Sequence, residues 1–123
     1  MNGHVFTHEK LEAYKVAREF LAIAQAILDE MPRGASKTRD QLADAAESIL
    51  FNTAEGAGRR SGADKARFFE YARGSADECA AALDAVEIRR LGRIERVLAG
   101  RELLHRAVRL LSGLIRSARQ RTS

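Results

Sequence analysis

Three short segments containing glycine or proline divide this chain into four stretches that favour helix. They are residues 31–35, residues 56–62 and Gly92. Gly and Pro interrupt helices because Gly is conformationally free and Pro lacks an amide hydrogen. The rest of the chain has no Trp, 2 Tyr and abundant Ala, Leu, Arg and Glu, which favour helix over strand. We therefore predict an all-α fold, an antiparallel four-helix bundle with helices at about residues 8–31, 37–57, 62–91 and 95–119.

The expected ends of these helices follow from capping residues. Polar side chains before a helix accept its free amide hydrogens, and Gly commonly follows its last turn. The sequence predicts an N-cap at Thr7 with a Phe6–Leu11 hydrophobic staple, a capping box of Thr38 and Gln41, a Ser61–Asp64 cap, and Gly92 as the residue that ends the third helix. Gly74 lies inside that helix, where close packing is expected to offset its cost of about 1 kcal/mol.

The first and fourth helices each carry two adjoining apolar seams. The first has Tyr14, Ala17, Leu21, Ala24, Leu28 and Met31 beside Val16, Phe20, Ile23 and Ile27, and the fourth has Val97, Leu104, Val108, Leu111, Ile115 and Ala118 beside Leu103, Ala107, Leu110 and Leu114. This width suggests an oligomer. A central place in the core of one subunit accounts for the periodicity equally well.

A length of 123 residues predicts one domain spanning residues 1–123. About two-thirds of the surface of such a chain can be buried without disulfides or metal. The single cysteine, Cys79, excludes an intramolecular disulfide and is consistent with a reducing compartment. The first residues lack the pattern of a secretory signal, and no apolar run approaches a membrane span. We expect a cytoplasmic protein with no membrane contact.

The sequence predicts no catalytic site, metal or cofactor. His4 and His8 have no third ligand nearby, and Cys79 has no adjacent His or second Cys. The Gly56-Ala57-Gly58 segment lacks the Lys-Ser/Thr of a phosphate loop, so the exit of a helix is the better interpretation. We expect no enzymatic activity.

Charge is the functional signal that composition supplies. Residues 1–58 hold 6 Lys and Arg against 9 Asp and Glu, whereas residues 59–123 hold 15 against 8. A basic helical surface is typical of phosphate-backbone binding, although any solvated helix face is charged, and no interleaved aromatic residues support base stacking. The predicted nucleic-acid-binding residues are Arg89, Arg90, Arg93, Arg96, Arg106, Arg109, Arg116 and Arg119. A protein-binding adaptor is the alternative function.

The central segment Ser48-Ile-Leu-Phe-Asn-Thr-Ala-Glu-Gly-Ala-Gly-Arg-Arg-Ser61 closely resembles the signature of the four-helix-bundle family of ribosomal RNA intervening sequences. The similarity continues through Phe68, Ala72, Arg73, Gly74, Ser75 and Glu78 and back to Phe6, Leu11 and Tyr14. It covers nearly the whole chain. Residues 89–93 depart from the family pattern, which more often has a Leu-Gly-Tyr-like turn there.

The resemblance implies a cytoplasmic up-down bundle that assembles into a homopentameric ring and has no established enzymatic activity. A related branch, the accessory protein of diversity-generating retroelements, pairs with a reverse transcriptase and with RNA or DNA through a basic surface. The resemblance further implies that five central residues form a fold signature at the exit of the second helix and not a catalytic set: Asn52, Glu55, Gly56, Gly58 and Arg59.

Overall fold

The computed structural model describes residues 6–121, apart from the side chain of Lys10. A 3-10 turn at Thr7–Lys10 precedes α1 (Glu12–Glu30), and a second, at Arg33–Ala35, runs into α2 (Ser36–Gly58). Then follow α3 (Gly62–Ile88) and α4 (Ile94–Gln120). Residues 6–121 contain no strand, which confirms the predicted all-α class with four helices. His4 lies outside the described residues.

The four helices pack in a square. α2 packs mainly against α3, α3 packs against α4, and α1 contacts both α2 and α4. Within the described residues no Cα atom of α2 lies within 8 Å of one in α4, and the same holds for α1 and α3. Each of these two pairs therefore occupies opposite corners of the bundle.

The core consists of two apolar clusters. The larger is built on Phe20, Ile27, Leu42 and Leu83, each with 0% of its surface exposed. The smaller joins α3 to α4 around Phe69, Leu111 and Ile115. The second seams are only partly used, because Ile23, Leu103, Leu110 and Leu114 remain half-buried at the surface.

The predicted beginnings of α1 and α2 are wrong in detail. Leu11 has an extended backbone (φ −78°, ψ 131°), so α1 begins at Glu12 and Thr7 begins a separate 3-10 turn without a capping bond. The second 3-10 turn leads straight into α2 at Ser36, which leaves no extended residue to cap it. Thr38 instead lies in the first turn of α2, and its hydroxyl accepts a hydrogen bond from Arg89.

Of the two predictions made for the ends of α3, one is confirmed and the other is wrong. The Ser61 cap is confirmed, because the Asp64 amide donates to its Oγ at 3.0 Å. Gly92 does not end the helix. The left-handed residue is Arg90 (φ 55°), and the Leu91 amide donates to the Val86 carbonyl at 2.9 Å, which closes a Schellman motif.

The packing around Gly92 and around Gly74 differs from what we predicted. Gly92 lies against the core, where a β-carbon would come within 3.3 Å of Val86 and 3.4 Å of Ile27. Gly74 is exposed, with no atom within 4 Å of a β-carbon placed on it. It lies on the outer side of α3, whereas the buried small residues Ala72 and Ala76 form the packed side.

Candidate nucleic-acid interface

Four of the eight predicted arginines lie together where α3 turns into α4. We call this group, Arg89, Arg90, Arg93 and Arg96, the basic end. The Schellman turn brings Arg89 and Arg90 to the surface, and the extended N-cap Arg93 begins α4. Arg89 also donates to Thr38 at 3.3 Å, which places the first turn of α2 at the same end of the bundle.

One carboxylate, that of Glu30, pairs with two of the four cations of the basic end. Glu30, the last residue of α1, accepts Arg93 Nε at 3.1 Å and an Arg96 guanidinium nitrogen at 2.7 Å on the same oxygen. Among residues 6–121, Arg89 and Arg90 pair with no carboxylate. The exposed Arg33 and Lys37, near Thr38 in the chain, also have no acidic partner there. With Glu30 and the exposed Glu95 of the first turn of α4 set against its four arginines, the basic end keeps a net positive charge.

Arg39 directs its charge inward. It donates to the carbonyls of Leu28 and Met31, each at 2.8 Å, and to that of Pro32 at 3.1 Å. These carbonyl groups lie where α1 ends, and a cation there also opposes the negative end of the helix dipole. Sequence reasoning missed this role, because the position of Arg39 in α2 does not show which carbonyls it reaches.

The other four predicted arginines diverge around α4. Arg106 turns toward α1 and lies 3.6 Å from Glu12, and Arg119 turns toward α3 and pairs with Glu70. Arg109 and Arg116 point outward, and both lack an ion pair within the described part of the chain. The structure thus separates these four from the basic end and does not align them as one continuous stripe.

The residues of the family signature hold together the exit of α2. Gly56 lets the ring of Phe69 approach, because a β-carbon there would lie 2.7 Å from two ring atoms. Lys65 donates to the carbonyls of Gly56 and Ala57 at 3.3 and 2.9 Å. Burial and the nearby positive charge of Arg121 lower the pKa of Lys65.

The polar members of the signature bind neighbouring groups. Glu55 pairs with Arg59 at 2.7 Å along the helix. Asn52 donates to the carbonyl and hydroxyl of Ser48, both at 2.9 Å, and Ser75 donates to that hydroxyl at 2.8 Å. The bond between Ser75 and Ser48 joins α3 to α2, whereas the other contacts lie within α2 and its C-terminal cap.

An aromatic cluster that the sequence analysis did not find lies beside this exit. The Phe68 ring lies under two guanidinium groups, with Arg59 at 4.5 Å and Arg67 at 4.8 Å from its centroid. Tyr71, which is 51% exposed, meets Phe68 edge-on. The three-residue spacing of Phe68 and Tyr71 on a helix could have revealed the pair. Arg59 comes from the segment that follows α2, and the spacing within α3 does not show this contact.

An open groove of about 650 Å³ runs between α1 and α4. Ile23 and Leu103 supply half-buried apolar surface, and Glu19, Arg106 and Arg109 form its polar sides. This groove lies along the seams that the core leaves partly unused.

The described residues contain no cluster of three His, Cys, Asp or Glu side chains that could hold a metal. Burial, reinforced by the negative charge of Glu78, raises the pKa of the Cys79 thiol to about 12, which keeps it protonated and unreactive. None of the helices in the described part of the chain has an apolar stretch long enough to cross a membrane.

The fold and these surfaces define a small helical-bundle protein with charged outer faces. Residues 9–113 match the 23S rRNA-intervening sequence protein family, and the chain belongs to that family. The resemblance seen in the sequence is thereby confirmed. The family description names no reaction. No curated protein matches the chain.

Proposed function

We propose that this protein is a non-enzymatic scaffold that assembles into a closed ring of identical subunits and binds the phosphate backbone of nucleic acid at its basic end. The observation that carries the proposal is the charge of that end. Of its four arginines, Arg93 and Arg96 pair with the carboxylate of Glu30, and among residues 6–121 Arg89 and Arg90 pair with no carboxylate. Arginine suits phosphate because it stays charged and offers several donors to oxygen.

The proposed subunit is an antiparallel up-down bundle. Contacts between α3 and α4 support this arrangement, because Gly62 lies against Ala118, Arg73 bonds Ser112, and Asp84 pairs with Arg101. Residue numbers rise along α3 as they fall along α4. In such a subunit the basic end lies at one end of the long axis, away from the helix sides.

The ring rests on the half-buried apolar residues of α1 and α4 and on the family resemblance, which implies five copies. Cyclic symmetry would place every basic end on the same side of the ring. Several weak phosphate contacts at fixed spacing then add through avidity wherever the ligand reaches more than one. A cytoplasmic location belongs to the proposal and agrees with a single free cysteine.

The test compares two doubly neutralised variants of the full chain. Arg89→Gln/Arg90→Asn removes two charges from the basic end, and Asn tolerates the left-handed backbone at position 90. The control, Arg18→Gln/Arg60→Gln, removes two exposed charges that lie outside the basic end and have no ion pair among the described residues. Binding is titrated with mixed-sequence duplex DNA and structured RNA at low salt.

We expect wild-type protein to bind either probe regardless of sequence. The variant at the basic end should bind several-fold more weakly, and the control should keep most of the affinity while it remains assembled. Equal losses in both assembled variants would contradict the assignment to the basic end. Absence of wild-type binding at low salt would reject nucleic-acid binding in favour of a protein-binding adaptor.

A further inference from the structure

The outer side of α2 carries carboxylates that nothing in the described chain neutralises. Asp40, Asp44 and Glu47 are exposed and follow one another at four- and three-residue steps, so they share one helix face. Phe51, 63% exposed, continues the same face. We call these four residues the acidic column. Within residues 6–121 none of its carboxylates forms an ion pair.

Beyond the exposed Glu102, the outer side of α4 has the opposite charge. Arg109 and Arg116 are seven residues apart, two turns of one face, and neither has an acidic partner in the described residues. Gly113 lies between them, and a β-carbon there would meet only the Arg116 guanidinium, at 3.8 Å. A helix-interior glycine costs about 1 kcal/mol relative to alanine, and apart from Arg116 no side chain of the described residues lies over it. Arg109, Gly113 and Arg116 form the basic column.

Both columns lie at the same height along the bundle. α3 bonds α2 through Ser75 and Ser48, at 2.8 Å, and bonds α4 through Arg73 and Ser112, at 3.1 Å. Because Arg73 and Ser75 are only two residues apart, Ser48 and Ser112 stand nearly level. Along α2, Glu47 and Phe51 lie on either side of Ser48. Along α4, Arg109 and Gly113 lie on either side of Ser112.

We infer that the acidic column of one subunit docks on the basic column of a second copy of this chain. This inference rests on the proposed ring and specifies its interface. α2 and α4 occupy opposite corners of the bundle, so a contact between them is heterologous and passes from copy to copy. When the copies stand level around an axis parallel to the helices, Glu47 faces Arg109 and Phe51 faces Gly113.

Each member of the interface then has a physical role. In this interface the Phe51 ring covers the space above Gly113. The β-carbon of an alanine at position 113 would leave less room for the ring. The half-buried Ile23 and Leu103 in the adjacent groove add apolar surface beside Arg109. The ion pair of Glu47 with Arg109 fixes which faces meet, because charge complementarity governs specificity more than affinity.

The test measures the mass of the intact chain in solution by light scattering. Glu47→Arg and Arg109→Glu each place like charges in contact, and the double variant restores an opposite pair. Asp77→Arg and Arg33→Glu are controls, since both positions are exposed and unpaired within the described residues. Circular dichroism checks that each variant keeps its helix content.

We expect wild-type protein and both controls to have a mass several times 13.6 kDa, each single reversal to lower it toward 13.6 kDa, and the double variant to recover it. If the two single charge reversals leave the mass unchanged, this interface is wrong, whereas the proposed ring is not contradicted. A double variant that stays dissociated would overturn the pairing of Glu47 with Arg109. A wild-type protein of 13.6 kDa would overturn the proposed ring and this interface together.

Discussion

Gly56 in α2 lies directly under the ring of Phe69 in α3. A β-carbon at Gly56 would come within 2.7 Å of two ring atoms, and Phe69 is 97% buried, so the ring has little room to move. Two helices approach closely here because one of them lacks a side chain. This contact gives the glycine of the family signature a structural role at the exit of α2.

Substitution of Gly56 by alanine should therefore destabilise the fold. Overpacking of a filled core costs about 1–3 kcal/mol, and we expect urea unfolding to show a loss in this range. Gly58→Ala is the matched control from the same signature, because a β-carbon at Gly58 meets nothing within 4 Å. The control should be neutral or slightly stabilising. Equal losses in the two variants would contradict the role assigned to the Phe69 contact.

Arg90→Gly should stabilise the protein. Arg90 has a φ of 55°, a conformation that costs a residue with a β-carbon about 1 kcal/mol and costs glycine little. We expect the free energy of unfolding to rise by up to about 1 kcal/mol in urea titrations. Arg89→Gly, at the preceding residue with a φ of −87°, should lower it. The reverse order would show that the turn is formed differently.

Glu30→Gln should raise affinity for nucleic acid and lower stability. The carboxylate of Glu30 accepts from both Arg93 and Arg96, so its neutralisation frees one more charge at the basic end. It also weakens the link between α1 and α4, by about 1 kcal/mol for a partly exposed pair network. Duplex titration and urea unfolding measure the two effects. Weaker binding by the folded variant would argue against phosphate contact at this end.

Stability should fall at alkaline pH through Cys79. Its pKa is raised in the folded protein from 9.0 to about 12, so the folded state holds its proton more tightly than the unfolded state. The associated stability is complete below pH 9 and is lost as pH rises toward about 12. Cys79→Ala, compared with wild type in urea at pH 8 and pH 10.5, should show a smaller decline over this interval. Parallel declines would exclude the thiol as a cause.

Much of the fold followed from local pattern. Apolar periodicity and the three breaks predicted four helices, and the Ser61 cap was predicted because both its partners lie within one turn. The end of α3 was not predicted correctly, because Gly92 lies against Ile27 of α1. This contact forms only after the bundle closes, so local sequence does not show it. The helix ends at Ile88 instead, and Arg90 takes the left-handed conformation that follows it.

The candidate site was less predictable than the fold. The sequence identified the arginines but not their partners, since Glu30, Glu12 and Glu70 lie on other helices. These contacts separate the arginines into a basic end and a divergent set on α4. The cluster of Phe68 with Arg59 was missed for the same reason, because its members come from different segments.

The salt dependence of wild-type binding to a mixed-sequence duplex tests most directly the proposal that the assembled protein binds the phosphate backbone. The logarithm of the association constant should fall by about 0.9 for each neutralised phosphate per tenfold rise in salt. In a single basic end Arg93 and Arg96 are paired with Glu30, so the two unpaired arginines account for about two phosphates and a slope near −1.8. The proposed ring predicts a clearly steeper slope that flattens in Arg89→Gln/Arg90→Asn. Binding that does not change with salt, or no binding at low salt, would contradict it.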